Sequence, residues 1–135
     1  MKISVLGGGS WATAIVKMLT ENLDDVHWYM RNSVAIEHIK KEGHNPNYLS
    51  AVELLNERIT LTDVIDEAVN TSEILVFAIP SAFLETELQK LTVSLKDKII
   101  FSAIKGIVPE TGLIVGEHFH EIFKVPFENL SLIHI

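Results

Sequence analysis

The 135 residues amount to one domain with room for a proper core, and 47% hydrophobic content excludes a disordered chain. A net charge of −7, with Lys40 and Lys41 the only adjacent basic residues, excludes a general nucleic-acid surface, because phosphate binding needs clustered cations. The lack of cysteine excludes disulfides, thiol catalysis and cysteine zinc sites and fits the cytoplasm, and no apolar run approaches the roughly 18–20 residues of a membrane span.

Lys2 to Leu6 reads as a short strand buried on both faces. Gly7, Gly8 and Gly9 follow, with Ser10 at an expected N-cap. An apolar stripe at Trp11, Ala14, Ile15, Met18 and Leu19 then predicts a helix. Val26 to Met30 is a second strand, Ser33 to Glu42 a helix, and Gly43 to Ser50 a polar loop containing proline. Arg58 to Leu61 is a short strand, and Asp63 to Asn70 a short helix capped by Asp63 or Thr62. Glu73 to Ile79 is the surest central strand. Pro80 ends it, and Ser81 caps a helix in which Leu84, Leu88 and Leu91 repeat at helical spacing. Lys98 to Ile104 is a further central strand, Gly112 to Phe123 a helix weakened by Gly116, and Leu130 to Ile135 a last strand. The alternation implies βαβ units and an α/β, Rossmann-type doubly wound fold, a mostly parallel sheet with helices on both faces. A chain that closes on a strand reads as a domain cut from a longer protein.

Gly7-x-Gly9-x-x-Ala12 fits the dinucleotide fingerprint G-x-G-x-x-G/A. Gly7 permits a tight turn out of the strand, Gly9 lets a pyrophosphate approach the backbone, and Ala12 keeps the helix close to the strand. Two rivals are weaker. Gly8-x-Ser10-x-Ala12 is near the hydrolase elbow with Ser10 as nucleophile, but that elbow follows a later strand and an oxyanion loop. A P-loop needs a lysine after the glycines, and none is there.

NAD binders carry a carboxylate about 20 residues past the glycines, at the end of the second strand, to accept from the ribose 2′-OH. In "WYMRN" Arg31 and Asn32 stand in its place. Arginine there can pair with a 2′-phosphate, which favours NADP over NAD; a solvated loop arginine is the other reading. Two more strand ends carry unusual residues. "FAIPS" puts Pro80 and Ser81 beside the expected nicotinamide path. "SAIKGI" puts Lys105 where a cation can hold an anionic or carbonyl substrate, unless it is a surface lysine.

Together these segments resemble bacterial NAD(P)-dependent glycerol-3-phosphate dehydrogenase. "GGGSWATA", in which Trp11 is more specific than the glycines, matches that family in order and spacing, as do "WYMRN", "NPNYL", "FAIPS" and "SAIKGI" with Thr111 downstream. The resemblance covers nearly the whole chain. It implies interconversion of glycerol 3-phosphate and dihydroxyacetone phosphate with NADP(H) or NAD(H), for glycerophospholipid synthesis. Carried over by position, Ser10, Trp11 and Arg31 contact the cofactor, and Lys105 contacts cofactor and substrate. Asn45, Asn47 and Tyr48 lie near the adenosine end. Gly7, Gly9, Ala12, Asn32 and Pro80 complete the expected cofactor set, with Lys105 as the catalytic candidate.

Where the family continues through a Gly-Pro segment into a helical C-terminal domain bearing the principal catalytic lysine, this sequence has "LSLI", His134 and Ile135. Turnover by the 135 residues alone is therefore not expected, and an apolar face beside the last strand would favour a homodimer. Ala12 stands where many members have glycine. Two other readings remain open: another NADP-dependent hydroxyacid or ketopantoate-type reductase, lacking Trp11 and the "SAIKGI" context, and a dinucleotide-sensing module, with no need of Lys105. No metal site is expected. His118 and His120 point apart on a helix, Glu117 and Glu121 read as a solvated flank, and Trp28 and Tyr29 read as packing.

Overall fold

The structure is a computed structural model that describes residues 1–104, 107–108, 113–114, 117, 119–120 and 123–132. Its chain order begins β1 (Ile3–Leu6), α1 (Ser10–Thr20), β2 (Val26–Tyr29), α2 (Ser33–Glu42), then a 3₁₀ turn at Asn56–Arg58 and β3 (Ile59–Thr62). It continues with α3 (Ile65–Thr71), β4 (Ile74–Phe77), α4 (Ser81–Leu88), β5 (Ile99–Ser102), β6 (Ile107–Val108), β7 (Leu113–Ile114) and β8 (Leu130–Leu132).

Six strands form one parallel sheet in the order β3-β2-β1-β4-β5-β8. The chain therefore winds outward from β1 in one direction and, after α3, outward from β4 in the other. β1 lies in register with both neighbours, Leu6 opposite Tyr29 on one side and Phe77 on the other. A sheet that reverses its winding leaves a crevice at the carboxyl ends of the two strands where it does so.

Alternation along the strands builds two cores. Val5, Trp28 and Val76 face Ala12 and Val16 of α1 and Ile36 and Ile39 of α2. Leu6, Tyr29 and Phe77 face Ala68 and Val69 of α3 and Leu84 and Leu88 of α4. Every one of these side chains is at least nine-tenths buried. Covering the sheet on both faces is what allows strands as apolar as "ISVL" and "ILVF" to sit at its centre.

The helix caps differ from expectation. Gly9, not Ser10, is the N-cap of α1, in extended backbone and with no side-chain cap. Pro80, not Ser81, is the N-cap of α4, likewise with no side-chain cap. Neither Asp63 nor Thr62 caps α3. Val64 does, because the Thr62 hydroxyl turns outward to accept from Val64 N–H at 3.0 Å and donate to Glu67 at 2.7 Å. Only α2 has a side-chain cap among the described helices, Asn32 Oδ1 accepting from Ala35 N–H at 3.1 Å, and it closes on left-handed Gly43.

The helix expected over Gly112 to Phe123 is also corrected. Leu113–Ile114 is a strand paired antiparallel with Ile107–Val108, a hairpin of β-branched and leucine residues that take extended backbone well. Helical backbone is described at 117, 119, 120 and 123. The last strand is present at Leu130–Leu132, pairing with β5.

Candidate functional site

The glycine turn lies at the point where the sheet reverses, and its three glycines are glycine for different reasons. Gly7 has φ +133°, and a Cβ there would stand 2.8 Å from the carbonyl carbon of Ala78 and closer still to its oxygen. Packing against β4 and backbone conformation both forbid a side chain. At Gly8 a Cβ would press on Met30 Cβ at 3.1 Å. At Gly9 nothing lies within 4 Å of that position. The protein itself gives no reason for glycine there, and the space is open toward the crevice.

Two bonds hold the turn from β2. Gly7 N–H donates to Tyr29 O at 2.9 Å, and the Trp28 indole N–H donates to Gly7 O at 2.6 Å. The first intrahelical bond of α1 runs from Thr13 N–H to Gly9 O at 3.0 Å. The N–H groups of Ser10, Trp11 and Ala12 thus have no partner within the helix, and no side chain caps them. Such a helix start favours an anion through both its N–H groups and its dipole.

The loop after α2 is tied to this turn by Asn45, which is 1% exposed. Its Nδ2 donates to Gly8 O at 3.2 Å and Thr13 Oγ1 at 3.0 Å. Its Oδ1 accepts from the N–H groups of Asn47 at 3.0 Å and Tyr48 at 3.3 Å. One buried amide therefore sets the turn, the helix start and the loop in mutual register.

At the end of β2 Arg31 reaches out over α4. Its guanidinium stands 5.7 Å from the centre of the Phe83 ring, and its Nε lies 4.0 Å from Glu87 Oε1. Glu87 is 4% exposed, and its Oε2 accepts from the Tyr29 hydroxyl at 2.5 Å and from Lys90 Nζ at 3.1 Å. Burial first, then the Glu87 bond and charge, push the Tyr29 phenol well above its ordinary value.

These elements enclose two adjoining crevices. The first, about 260 Å³, is lined by the three glycines, Arg31, Asn32, Asn45, Tyr48 and the α4 residues Phe83 and Glu87. The second, about 460 Å³, runs from Gly9, Ser10 and Trp11 past Tyr48 and Pro80 to Ala103 and Ile104. Trp11, Tyr48 and Phe83 are each about half exposed, an unusual density of aromatic surface around one groove.

The structure brings together Gly7, Gly9, Ser10, Trp11, Arg31, Asn32, Tyr48 and Pro80 along this groove. Ala12 is fully buried and serves the α1–sheet contact instead of lining the groove. Lys105, with Thr111, His118 and Glu121, lies outside the described residues; Ile104, just before Lys105, lines the second crevice. Among the described residues there is no metal-binding cluster and no helix long and apolar enough to cross a membrane. His120 Nδ1 lies 3.0 Å from Val125 O, and Glu117 is exposed.

Sequence reasoning missed Glu87, Phe83 and the bonding roles of Trp28 and Tyr29. A signal for Glu87 existed. Leu84, Leu88 and Leu91 mark an inward stripe at i, i+4 and i+7, and Glu87 occupies its i+3 position.

A family model describing the N-terminus of NAD-dependent glycerol-3-phosphate dehydrogenase matches residues 2–133. The NAD(P)+ glycerol-3-phosphate dehydrogenase of Ectopseudomonas mendocina is 35% identical over 120 residues, 89% of this chain and 35% of that protein. Its counterpart in Nitratidesulfovibrio vulgaris is 36% identical over 118 residues, 87% of this chain and 36% of that protein. The chain thus spans about a third of the length of these curated relatives. A solved structure of Plasmodium falciparum glycerol-3-phosphate dehydrogenase superposes with a TM-score of 0.81 at 22% identity, over 98% of this chain and 40% of that one, a likeness of fold. With the glycine turn, the uncapped helix start and the groove at the sheet's reversal, the chain belongs to the NAD-dependent glycerol-3-phosphate dehydrogenase family, matching its N-terminal domain.

Proposed function

We propose that this chain is the cofactor-binding domain of a cytoplasmic glycerol-3-phosphate dehydrogenase that interconverts glycerol 3-phosphate and dihydroxyacetone phosphate and takes NADP(H) more tightly than NAD(H). The observation that carries the reading is Gly9, a glycine that no neighbour requires, opening onto the groove at an uncapped helix start. A Cβ at Gly9 would fill the space a pyrophosphate needs, so the residues present fit a dinucleotide.

In this reading the N–H groups of Ser10, Trp11 and Ala12 receive the pyrophosphate. Arg31, held over Phe83, forms one wall for the adenine and offers its guanidinium to a 2′-phosphate. The second crevice, past Trp11 and Pro80, guides the nicotinamide toward Ala103 and Ile104. A bound nicotinamide would supply the hydride donor or acceptor for C2 of the substrate. Lys105, next in sequence to Ile104, supplies the cation for the substrate's oxygens.

Calorimetric titration with both cofactors tests the preference. Arg31→Ala should weaken NADPH about 10- to 100-fold, the equivalent of one charged hydrogen bond at roughly 1.5–3 kcal/mol, and leave NADH nearly unchanged. Equal affinities in the native chain, or an Arg31→Ala variant that binds NADPH as well as the parent, would sink the NADP preference.

A further inference from the structure

Glu87 is a carboxylate that the proposed chemistry leaves unused. It lies on the last turn of α4, almost fully buried, and borders the first crevice. The Tyr29 hydroxyl and Lys90 Nζ both hold Oε2. Oε1 faces Arg31 Nε at 4.0 Å, too far for a hydrogen bond but well inside the range of charge interaction. The carboxylate is thus a fixed negative charge beside a guanidinium whose side chain is 65% exposed.

We propose that Glu87 is a specificity-determining residue that restrains this groove's preference for a 2′-phosphorylated dinucleotide, so that NAD(H) remains an accepted cofactor. The proposal rests on the groove being the dinucleotide site. A 2′-phosphate drawn to Arg31 brings like charge into the crevice that Glu87 borders, where solvent screens it weakly. Glu87 also claims part of the guanidinium's charge in advance. A ribose ending in a 2′-OH meets neither penalty, and its hydroxyl proton finds an acceptor in Oε1. The acidic residue of NAD sites ordinarily stands at the end of β2. Here that place holds Arg31 and Asn32, and α4 delivers the carboxylate across the sheet, because Leu84 and Leu88 on the same helical stripe turn Glu87 inward.

Glu87→Gln keeps an acceptor for Tyr29 and removes the charge. Titration of the chain with NADPH and NADH should show the ratio of dissociation constants moving about tenfold toward NADPH. Lys90 is half exposed, and Lys90→Met strips the counter-charge from Oε2, so the ratio should move about two- to threefold toward NADH. A ratio cancels the general loosening that a merely structural Glu87 would cause for both cofactors. An unmoved ratio in folded Glu87→Gln overturns the proposal, and so does Lys90→Met shifting toward NADPH or not at all. If Glu87→Gln does not fold, Lys90→Met decides alone. A native chain that binds neither dinucleotide overturns the groove assignment and this proposal with it; native binding with an unmoved ratio overturns this proposal only.

Discussion

Trp28 donates its indole N–H to the carbonyl oxygen of Gly7 at 2.6 Å from a position without solvent exposure. A side chain on β2 thereby engages the first carbonyl of the turn that follows β1 and fixes that turn against the end of β2. Trp28→Phe leaves the acceptor buried and unpaired, which costs about 1–3 kcal/mol before any loss of packing volume. The urea midpoint should fall accordingly, and dinucleotide affinity should fall with it. A variant with the parent's midpoint would mean that Gly7 O finds another partner.

Gly7 and Gly9 should respond oppositely to alanine. Gly7→Ala forces a side chain into a φ of +133° and against the Ala78 carbonyl, so the chain should lose several kcal/mol or fail to fold. Gly9 has φ −85° and empty space around its absent Cβ, so Gly9→Ala should fold with a nearly unchanged melting temperature. Its dinucleotide affinity should nonetheless fall at least tenfold, since the methyl occupies ligand space. Thermal melts paired with titrations separate the two effects. Gly9→Ala binding at full affinity would remove the pyrophosphate from that position.

Asn45→Ala deletes four hydrogen bonds at once and orphans Gly8 O among others. The expected cost is roughly 2–4 kcal/mol, given about 1 kcal/mol net per bond with partial rescue by water. Tyr48 should become mobile first, because its N–H loses its acceptor. Amide exchange over residues 45–48 would register the change, and unaltered protection there would show that the loop holds itself.

The Tyr29 phenol is raised in the folded state, so the native form keeps its proton where the unfolded chain has begun to lose it. The resulting stabilisation is complete below the unfolded value of about 10 and is lost as pH climbs past it toward the folded value. Denaturant midpoints between pH 8 and 11.5 should therefore fall on the alkaline side, and Tyr29→Phe should flatten that fall. Identical alkaline limbs in parent and variant would place the titration elsewhere.

Local rules made much of the fold legible. The short apolar runs "ISVL" and "ILVF", the glycine breaks and the helical leucine stripes are short-range signals, and they located the six sheet strands and the four described helices to within a few residues. The glycine turn was legible for the same reason: strand, turn and helix start are contiguous in the chain. The β6–β7 hairpin was not. Two-residue strands exist only through each other, and a segment such as "TGLIVGEHF" carries no period strong enough to reveal a partner.

What the sequence determined by itself is the chemistry that neighbours in the chain can build: the fingerprint, Arg31 at a strand end, the order of strands and helices as far as β5. What only the tertiary structure decided is which distant groups share that space. Asn45 is 32 residues from Thr13, and Glu87 is 58 from Tyr29, yet each pair is bonded. The fingerprint gave Gly7 and Gly9 different roles, and only packing against Ala78 shows that the protein itself demands the first and not the second. The physical reason is common to all three. Local propensity depends on a few consecutive residues, whereas charge pairing, buried hydrogen bonds and empty space depend on the winding of the sheet, which brings α4 over the end of β2.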